Sequence, residues 1–289
     1  MNIPLRILTF NIRLSWGEVG QPDEWKHRKD FCADILRDGA FDFAGLQEAT
    51  WTKDRPELHQ VHDLQTALPE YGFLGRSRAA DPENGEAAIV LYRKDRWEPD
   101  PAEQGVFWLS ETPNVPASMS WDTACTRNIA WALFHEHENG RRTGRSVVFA
   151  STHLDHVLEH TQLMQAMVVD EFLASRRARG ESVILTGDFN AYEYSWPMLY
   201  LCGKNIQVRD SVLPTAPLPL RDAWRETHPD AADSKTFHGW GNRWTPDHRI
   251  DYILYAGDDL QAVDASVDTV TRDGRFPSDH YPVSAVFSA

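Results

Sequence analysis

What most restricts the folding of this chain is a succession of short apolar runs, many of them ending in a carboxylate, an amide or an imidazole. The runs Leu5 to Ile12, Phe41 to Leu46, Ala87 to Tyr92, Ile129 to Phe134, Val147 to Thr152, Val183 to Leu185, Ile250 to Tyr255 and Val283 to Phe287 are rich in β-branched and aromatic residues, as buried strands are. Between them, Phe31, Cys32, Ile35 and Leu36, then Leu58, Val61, Leu64 and Leu68, then Met164, Met167, Val168 and Phe172 recur at near-helical spacing. Residues 99–122 and 211–247, proline-rich and polar, read as long functional loops. No repeat, low-complexity tract or dividing linker interrupts the pattern, so one domain is expected over residues 1–289. Strands at hairpin-like spacing with a few helices predict an α/β chain of two packed sheets flanked by helices.

The polar residues that close these runs are Asn11, Glu48, His153, Asp188 with Asn190, Asp251, and Asp279 with His280. Singly, each has an ordinary reading. Asn11 suits a turn, Glu48 a solvated charge, residues 187–190 a tight turn, and residues 278–280 a helix cap or loop. Together, several strand ends carrying such groups can build a site at one rim of the sheets. The residue types fit attack at phosphorus, which needs cations and fixed donors aimed at the non-bridging oxygens. Hard Mg²⁺ prefers carboxylate and amide oxygens, and histidines donate to phosphate or move protons near neutral pH. Arg127, opening a strand in TRNIAW, is a candidate fork for phosphate oxygens, weighed evenly against a surface arginine.

The ordered series TFNIR (9–13), LQE (46–48), STHLDH (151–156), TGDFN (186–190), RIDYIL (249–254) and SDHYPV (278–283) resembles the endonuclease/exonuclease/phosphatase superfamily, to which pancreatic deoxyribonuclease belongs. The resemblance runs from Leu5 to Phe287. It implies a four-layer α/β/β/α sandwich of two mixed sheets, with the site at one edge. It also implies roles: Glu48 as the principal ligand of Mg²⁺ or Mn²⁺, helped by Asn11 and Asp279. Asp188 would activate the attacking water, and Asn190 would steady the phosphoryl oxygens. His280 would lie by the phosphate with Asp251 orienting it, His153 would be a second phosphate-facing histidine, and Glu86 an orienting carboxylate. A bacterial subgroup carrying WLSETP (108–113), THLDH (152–156) and TFHGW (236–240) is more similar still. Those segments are expected to wall the site, with Trp108, Trp121, His156, His238 and Trp240 contacting a sugar, base or head group or, equally, anchoring loops. The stretch Trp244 to His248 departs from the simplest family pattern and reads as a substrate contact, a further metal site or a polar loop.

Other readings are weaker. His153, His156 and His160 would share one face if helical, yet no thiolate or HExxH signature accompanies them, so a zinc site is disfavoured. His135 and His137, in HEHENG, are expected at a solvated hairpin end. The three cysteines, far apart and odd in number, suit a reducing cytoplasm and are taken as buried small hydrophobes. No basic-then-apolar leader and no membrane-length apolar run is found. The net charge of −14 argues against tight binding of long nucleic acid. The expectation is a cytoplasmic monomer, a Mg²⁺- or Mn²⁺-dependent hydrolase of a small phosphomonoester or phosphodiester acting by in-line attack of water. A metal-dependent nuclease is the alternative, and an inactive binding module ranks last because no motif carboxylate or histidine is lost.

Overall fold

A computed structural model describes residues 3–208 and 211–288. Met1, Asn2, Arg209, Asp210 and Ala289, which fall in the domain expected over 1–289, lie outside the described residues. In chain order the elements are β1 (Leu5–Asn11), α1 (Trp25–Gly39), β2 (Phe43–Thr52), a 3-10 turn (Pro56–Leu58), α2 (Gln60–Ala67), β3 (Tyr71–Leu74), β4 (Asn84–Arg93), β5 (Trp97–Trp108), β6 (Asn128–Glu138), β7 (Arg141–His153), α3 (Glu159–Arg177), β8 (Val183–Asp188), α4 (Trp196–Leu201), β9 (Ile206–Val208), β10 (Ser211–Leu213), β11 (Arg221–Asp222), α5 (Ala223–Thr227), β12 (Asp251–Ala256), β13 (Gln261–Val267) and β14 (Val283–Ser288). One six-stranded sheet has the order β13-β14-β1-β2-β4-β3 and the other β11-β12-β8-β7-β6-β5.

Period-two side-chain alternation sorts the apolar residues into three separate cores. Leu5, Ile7 and Phe43 of the first sheet meet Phe134, Phe149, Ile184, Ile253 and Tyr255 of the second. Their neighbours Leu8, Phe10 and Leu46 turn outward onto Trp25, Cys32 and Leu36 of α1 and Val61 and Leu64 of α2. On the far side, Val183, Leu185 and Leu254 pack on Leu163, Ala166, Val169 and Leu173 of α3. Three cores require four layers, and the α/β/β/α sandwich expected from the sequence is the architecture found. Phe43 centres the middle core, stacked on Phe149 at 5.0 Å and tilted against Trp97 and Phe134 at 4.8 and 4.7 Å. Each such buried ring contributes about 1.5–3 kcal/mol.

Strand direction then explains the site. β1 runs parallel to β2, and β7 parallel to β8, so their C-terminal ends share one edge. β4, β6, β12 and β14 run antiparallel to these neighbours and bring their N-terminal ends to the same edge. Just beneath it the sheets approach closely: a Cβ on Gly45 would fall 2.0 Å from Thr186 Oγ1. Gln47 Nε2 donates to Ser151 Oγ across the gap at 3.1 Å.

Several expectations need correction. Residues 99–122 are not all loop, because β5 runs to Trp108; it is an edge strand, where Pro99 and Pro101 cost no ladder partner. The stretch 211–247 also carries β10, β11 and α5. The buried face of α3 is Leu163, Ala166, Val169 and Leu173, one step from the expected stripe, which flanks it half-buried. His153 ends β7 while α3 begins only at Glu159, so His153, His156 and His160 share no helical face. His135 is half-buried and paired with Asp100 at 3.3 Å rather than free in solvent. Of the cysteines only Cys32 is fully buried, its thiol pushed up to about 12 by burial; Cys125 and Cys202 are half-buried. Among the described residues no helix is long and apolar enough to cross a membrane.

Candidate active site

The shared edge opens into a cavity of about 600 Å³. Asp188, the last residue of β8, lies at its floor with 2% exposure. Asn11 Nδ2 donates to Asp188 Oδ2 at 2.9 Å, and the Asn190 amide donates to Oδ1 at 2.9 Å. His153 Nε2 and His280 Nε2 flank the same carboxylate at 3.4 and 3.8 Å. Burial, joined by the charge of Asp251, pushes the Asp188 carboxyl above the ordinary carboxylate range against the pull of the charged His280 and the Asn11 hydrogen bond.

The two histidines are held in opposite states. Burial would lower His280, but Asp251 Oδ2 accepts from Nδ1 at 2.9 Å and Asp188 and Asp279 add their charge, so its pKa is raised to about 10. It is an imidazolium. Burial and the neighbouring Arg127 push His153 down to about 3, so it is neutral. Asn190 Nδ2 donates to His153 Nε2 at 3.0 Å, which leaves the ring proton on Nδ1, facing Glu86 Oε1 at 3.5 Å. Asp188, Asp251 and His280 offer atoms within 4.8 Å of one another, as a metal cage would. Within the trio His280 is hydrogen-bonded to Asp251 at 2.9 Å and stands 3.8 Å from Asp188 as an ion pair.

Glu48 and Asp279 form the other end. Sequence reading put Glu48 just past a strand; instead β2 continues through it by a bulge between Leu46 and Ala49, with Glu48 at φ 58°. A bulge re-aims a side chain, and a positive φ off glycine costs about 1–3 kcal/mol. The strained carboxylate accepts from Leu14 N at 3.0 Å and from Asn11 Nδ2 at 3.1 Å. Burial and Glu86 raise the Glu48 carboxyl, but the Leu14 amide and Arg13 help bring it below its ordinary value. Arg13 lies 3.7 Å from Glu48 and 3.8 Å from Asp279, so two carboxylates share one guanidinium. That deficit of positive charge and the all-oxygen donor set fit a hard divalent cation. Asn11 Oδ1 accepts from Arg13 N at 3.0 Å, and its Nδ2 donates to Glu48 and Asp188.

Arg127 is no surface residue. It is 4% exposed, lines the cavity, and reaches His156 Nδ1 at 3.2 Å and Glu86 at 3.7 Å. Of the five expected wall residues, His156 and Trp240 line the cavity. Trp108 does not: it is buried and donates Nε1 to the Arg78 carbonyl at 2.7 Å, anchoring a loop. Trp121 is half-buried, with its carbonyl accepting the Thr161 hydroxyl. His238 is buried between Phe276 and Tyr281, its pKa lowered to about 4 by burial. In the 244–248 loop, Asp247 pairs with Lys235 at 3.1 Å and His248 with Asp233 at 3.6 Å, as a polar loop would.

The TFHG segment is a splint rather than a wall. Thr236 Oγ1 accepts from Ile250 N at 2.9 Å and Asp251 N at 3.3 Å, and its carbonyl accepts from Tyr281 N at 2.7 Å. His238 N and Gly239 N both donate to the Asp279 carbonyl. Asp251, Asp279 and His280 are thus tied to one strand-like segment. Thr236→Val leaves two buried amides without an acceptor. It is expected to cost about 1–3 kcal/mol of stability and to lower kcat, both restored by Thr236→Ser; unchanged kcat in the valine variant would remove the splint's role.

Residues that sequence reading missed also position the site. Arg28 of α1, 3% exposed, donates to the carbonyls of Ile12, Arg13 and Pro277, beside Asn11 and Asp279. Arg78 pairs with Glu86 at 2.7 Å. Only the helical face of Arg28, among Trp25, Cys32 and Leu36, offered a signal.

The Endonuclease/Exonuclease/phosphatase family model matches residues 8–280. An endonuclease/exonuclease/phosphatase family protein from Bacteroides thetaiotaomicron is 27% identical, with TM-score 0.82 over 99% of this chain and 95% of that one. The mannosyl-6-phosphatase Bt3783 of Bacteroides thetaiotaomicron VPI-5482 is 28% identical, with TM-score 0.80 over 99% and 100% of the two chains. The human nocturnin catalytic domain, 18% identical with TM-score 0.72 over 100% and 96%, shares the fold alone. No curated protein matches the chain.

Proposed function

Because the chain belongs to the endonuclease/exonuclease/phosphatase family, whose members are divalent-metal-dependent hydrolases of phosphoesters, we propose that it hydrolyses a small phosphomonoester, a sugar phosphate foremost. The observation that carries this reading is a buried Asp188 carboxylate flanked by a neutral and a charged histidine, opposite two carboxylates short of positive charge. The open-mouthed cavity of about 600 Å³, walled by Phe237 and Trp240, suits a sugar-sized group. Likeness to a mannosyl-6-phosphatase at 28% identity supports the same substrate class.

Glu48 and Asp279 would hold Mg²⁺ or Mn²⁺, which supplies positive charge for the phosphoryl oxygens. Asp188, held by Asn11 and Asn190 and raised in pKa by burial, takes a proton from the attacking water. The His280 imidazolium, fixed by Asp251, donates to the phosphoryl oxygens as charge grows on them, while Asn190 holds Asp188 and His153 in place. The Arg127 guanidinium lines the same cavity beside Glu86 and His156.

The test is turnover by EDTA-treated protein, with and without added Mg²⁺ or Mn²⁺, on sugar phosphates, phosphodiester head groups and nucleic acid. The expected result is at least about a thousandfold stimulation by metal on a sugar phosphate, with Glu48→Gln requiring more metal for half-maximal rate. Cleavage of nucleic acid alone, with affinity falling steeply as salt rises, would replace this reading with the nuclease one.

A further inference from the structure

Buried polar atoms without partners are rare in folded proteins and call for a cause. A group of them lies at one end of the cavity: Arg78 Nη1, Arg127 Nε and Nη1, and His153 Nδ1. Arg127 is 4% exposed, and its remaining nitrogen, Nη2, is spent on His156. Arg78 spends Nη2 on Glu86 at 2.7 Å, whereas Arg127 Nη1 stands off the same carboxylate at 3.7 Å. Two guanidiniums therefore share one carboxylate, leaving an uncompensated positive charge and three guanidinium nitrogens that lack an acceptor. Arg76 adds a further buried, unpartnered Nε on the loop beside them, its head stacked over Trp108 at 5.2 Å. In a chain of net charge −14, this is a local reversal of sign.

The cavity is thus acidic at the end of Glu48 and Asp279 and basic at the end of Arg78 and Arg127. Glu86 answers only one of the two guanidiniums, so the basic end has charge for a further anion. We propose that Arg78, with Arg127 beside it, forms a second oxyanion subsite, so that the substrate carries a phosphate or carboxylate in addition to the phosphate that is cleaved. The inference rests on the phosphoesterase reading above, and it makes Arg78 a specificity-determining residue. Arg forks bind phosphate and carboxylate alike, through paired charge-assisted hydrogen bonds.

Two measurements test it. First, inorganic sulfate is titrated calorimetrically into EDTA-treated protein, whose carboxylate end repels anions, so that binding reports the arginines. Saturable binding in the wild type, weakened at least about tenfold in Arg78→Met and less in Arg78→Lys, is expected. No saturable binding, or equal binding in the methionine variant with its folding confirmed by thermal melting, would overturn the subsite. The lysine variant keeps a cation beside Glu86 should the methionine variant fail to fold, and unweakened binding in it would count against the fork.

Second, with Mg²⁺ present, kcat/KM is compared for glucose 6-phosphate, glucose 1,6-bisphosphate and 6-phosphogluconate. Preference for the bisphosphate names phosphate as the second group, and preference for the gluconate names carboxylate. In Arg78→Met that preference should collapse through KM, the kcat/KM ratio of the two-anion ester to glucose 6-phosphate falling to about one. Equal loss on all three esters would place Arg78 on the cleaved phosphate and sink the proposal. Sulfate binding that depends on Arg78, with no ester hydrolysed, would leave the subsite standing and remove the hydrolase reading instead.

Discussion

Asp188→Asn is expected to lower kcat by at least about a thousandfold, within the range for loss of a general base, while leaving the protein folded and raising its melting temperature without metal. The side chain is nearly isosteric, and its oxygen can still accept from Asn190 N at 2.9 Å, while Asn11 Nδ2 gives up its 2.9 Å bond to the second oxygen and keeps Glu48 at 3.1 Å. What disappears is a buried negative charge beside Asp251. Because burial raises the folded-state pKa of Asp188, the native chain holds that proton more tightly than the unfolded chain does. Its stabilising contribution is complete below the unfolded value of about 3.9 and is lost as pH rises through the folded value. At neutral pH the charged form is therefore a burden that asparagine removes. Melting curves in EDTA at pH 7 and pH 4.5 check the sign: the gain should shrink at the lower pH. A variant with near-wild-type kcat would remove Asp188 from the chemistry, and one with a lower melting temperature would contradict the account of its charge.

The other large effect concerns stability. Arg249→Met should destabilise the fold by about 3–5 kcal/mol, the range for removing one partner of a buried ion pair. Its side chain has no exposure and lies 2.9 Å from Asp222, 2.7 Å from Asp233 and 3.8 Å from Glu193. The rings of Trp224 and Tyr252 sit 4.3 and 4.8 Å from its guanidinium carbon. Removing it strands three carboxylates with less charge to meet them, although Arg225 still pairs with Glu193 at 2.6 Å. At roughly 2–4 °C per kcal/mol for a large domain, the melting temperature should fall by about 10 °C. Arg249→Lys should recover little, because one ammonium cannot replace a fork that meets Asp222 and Asp233 together. A melting temperature within a degree or two of wild type would show that the cluster does not hold its loops.

The central strands were legible because both their faces are buried: β1, β8 and β12 read as continuous apolar runs. The edge strands β3, β5 and β13 were not, since one side lacks a partner and polar or proline residues are tolerated there. Site residues at strand ends were found for the same reason that central strands were: an apolar run that stops at Asp188 or His153 announces a change of surroundings. Arg13, Arg28 and Arg78 escaped because an arginine in a helix or loop reads as solvated until its carbonyl or carboxylate partners are known. The TFHG segment was read as wall because its backbone hydrogen bonds, which define it as a splint, leave no mark on residue type.

Two hydrogen bonds at the heart of the site cross from one sheet to the other. Asn11 closes β1 and reaches Asp188 at the end of β8; His280 precedes β14 and reaches Asp251 at the start of β12. Neither sheet owns a complete set, so the reactive centre is a seam between two half-molecules. A state in which either sheet has formed alone has no activity to lose, and a slip of one sheet past the other by a single residue would separate every crossing pair at once. Turnover is in that sense a proofreader of assembly, registering only chains whose two halves have met in register.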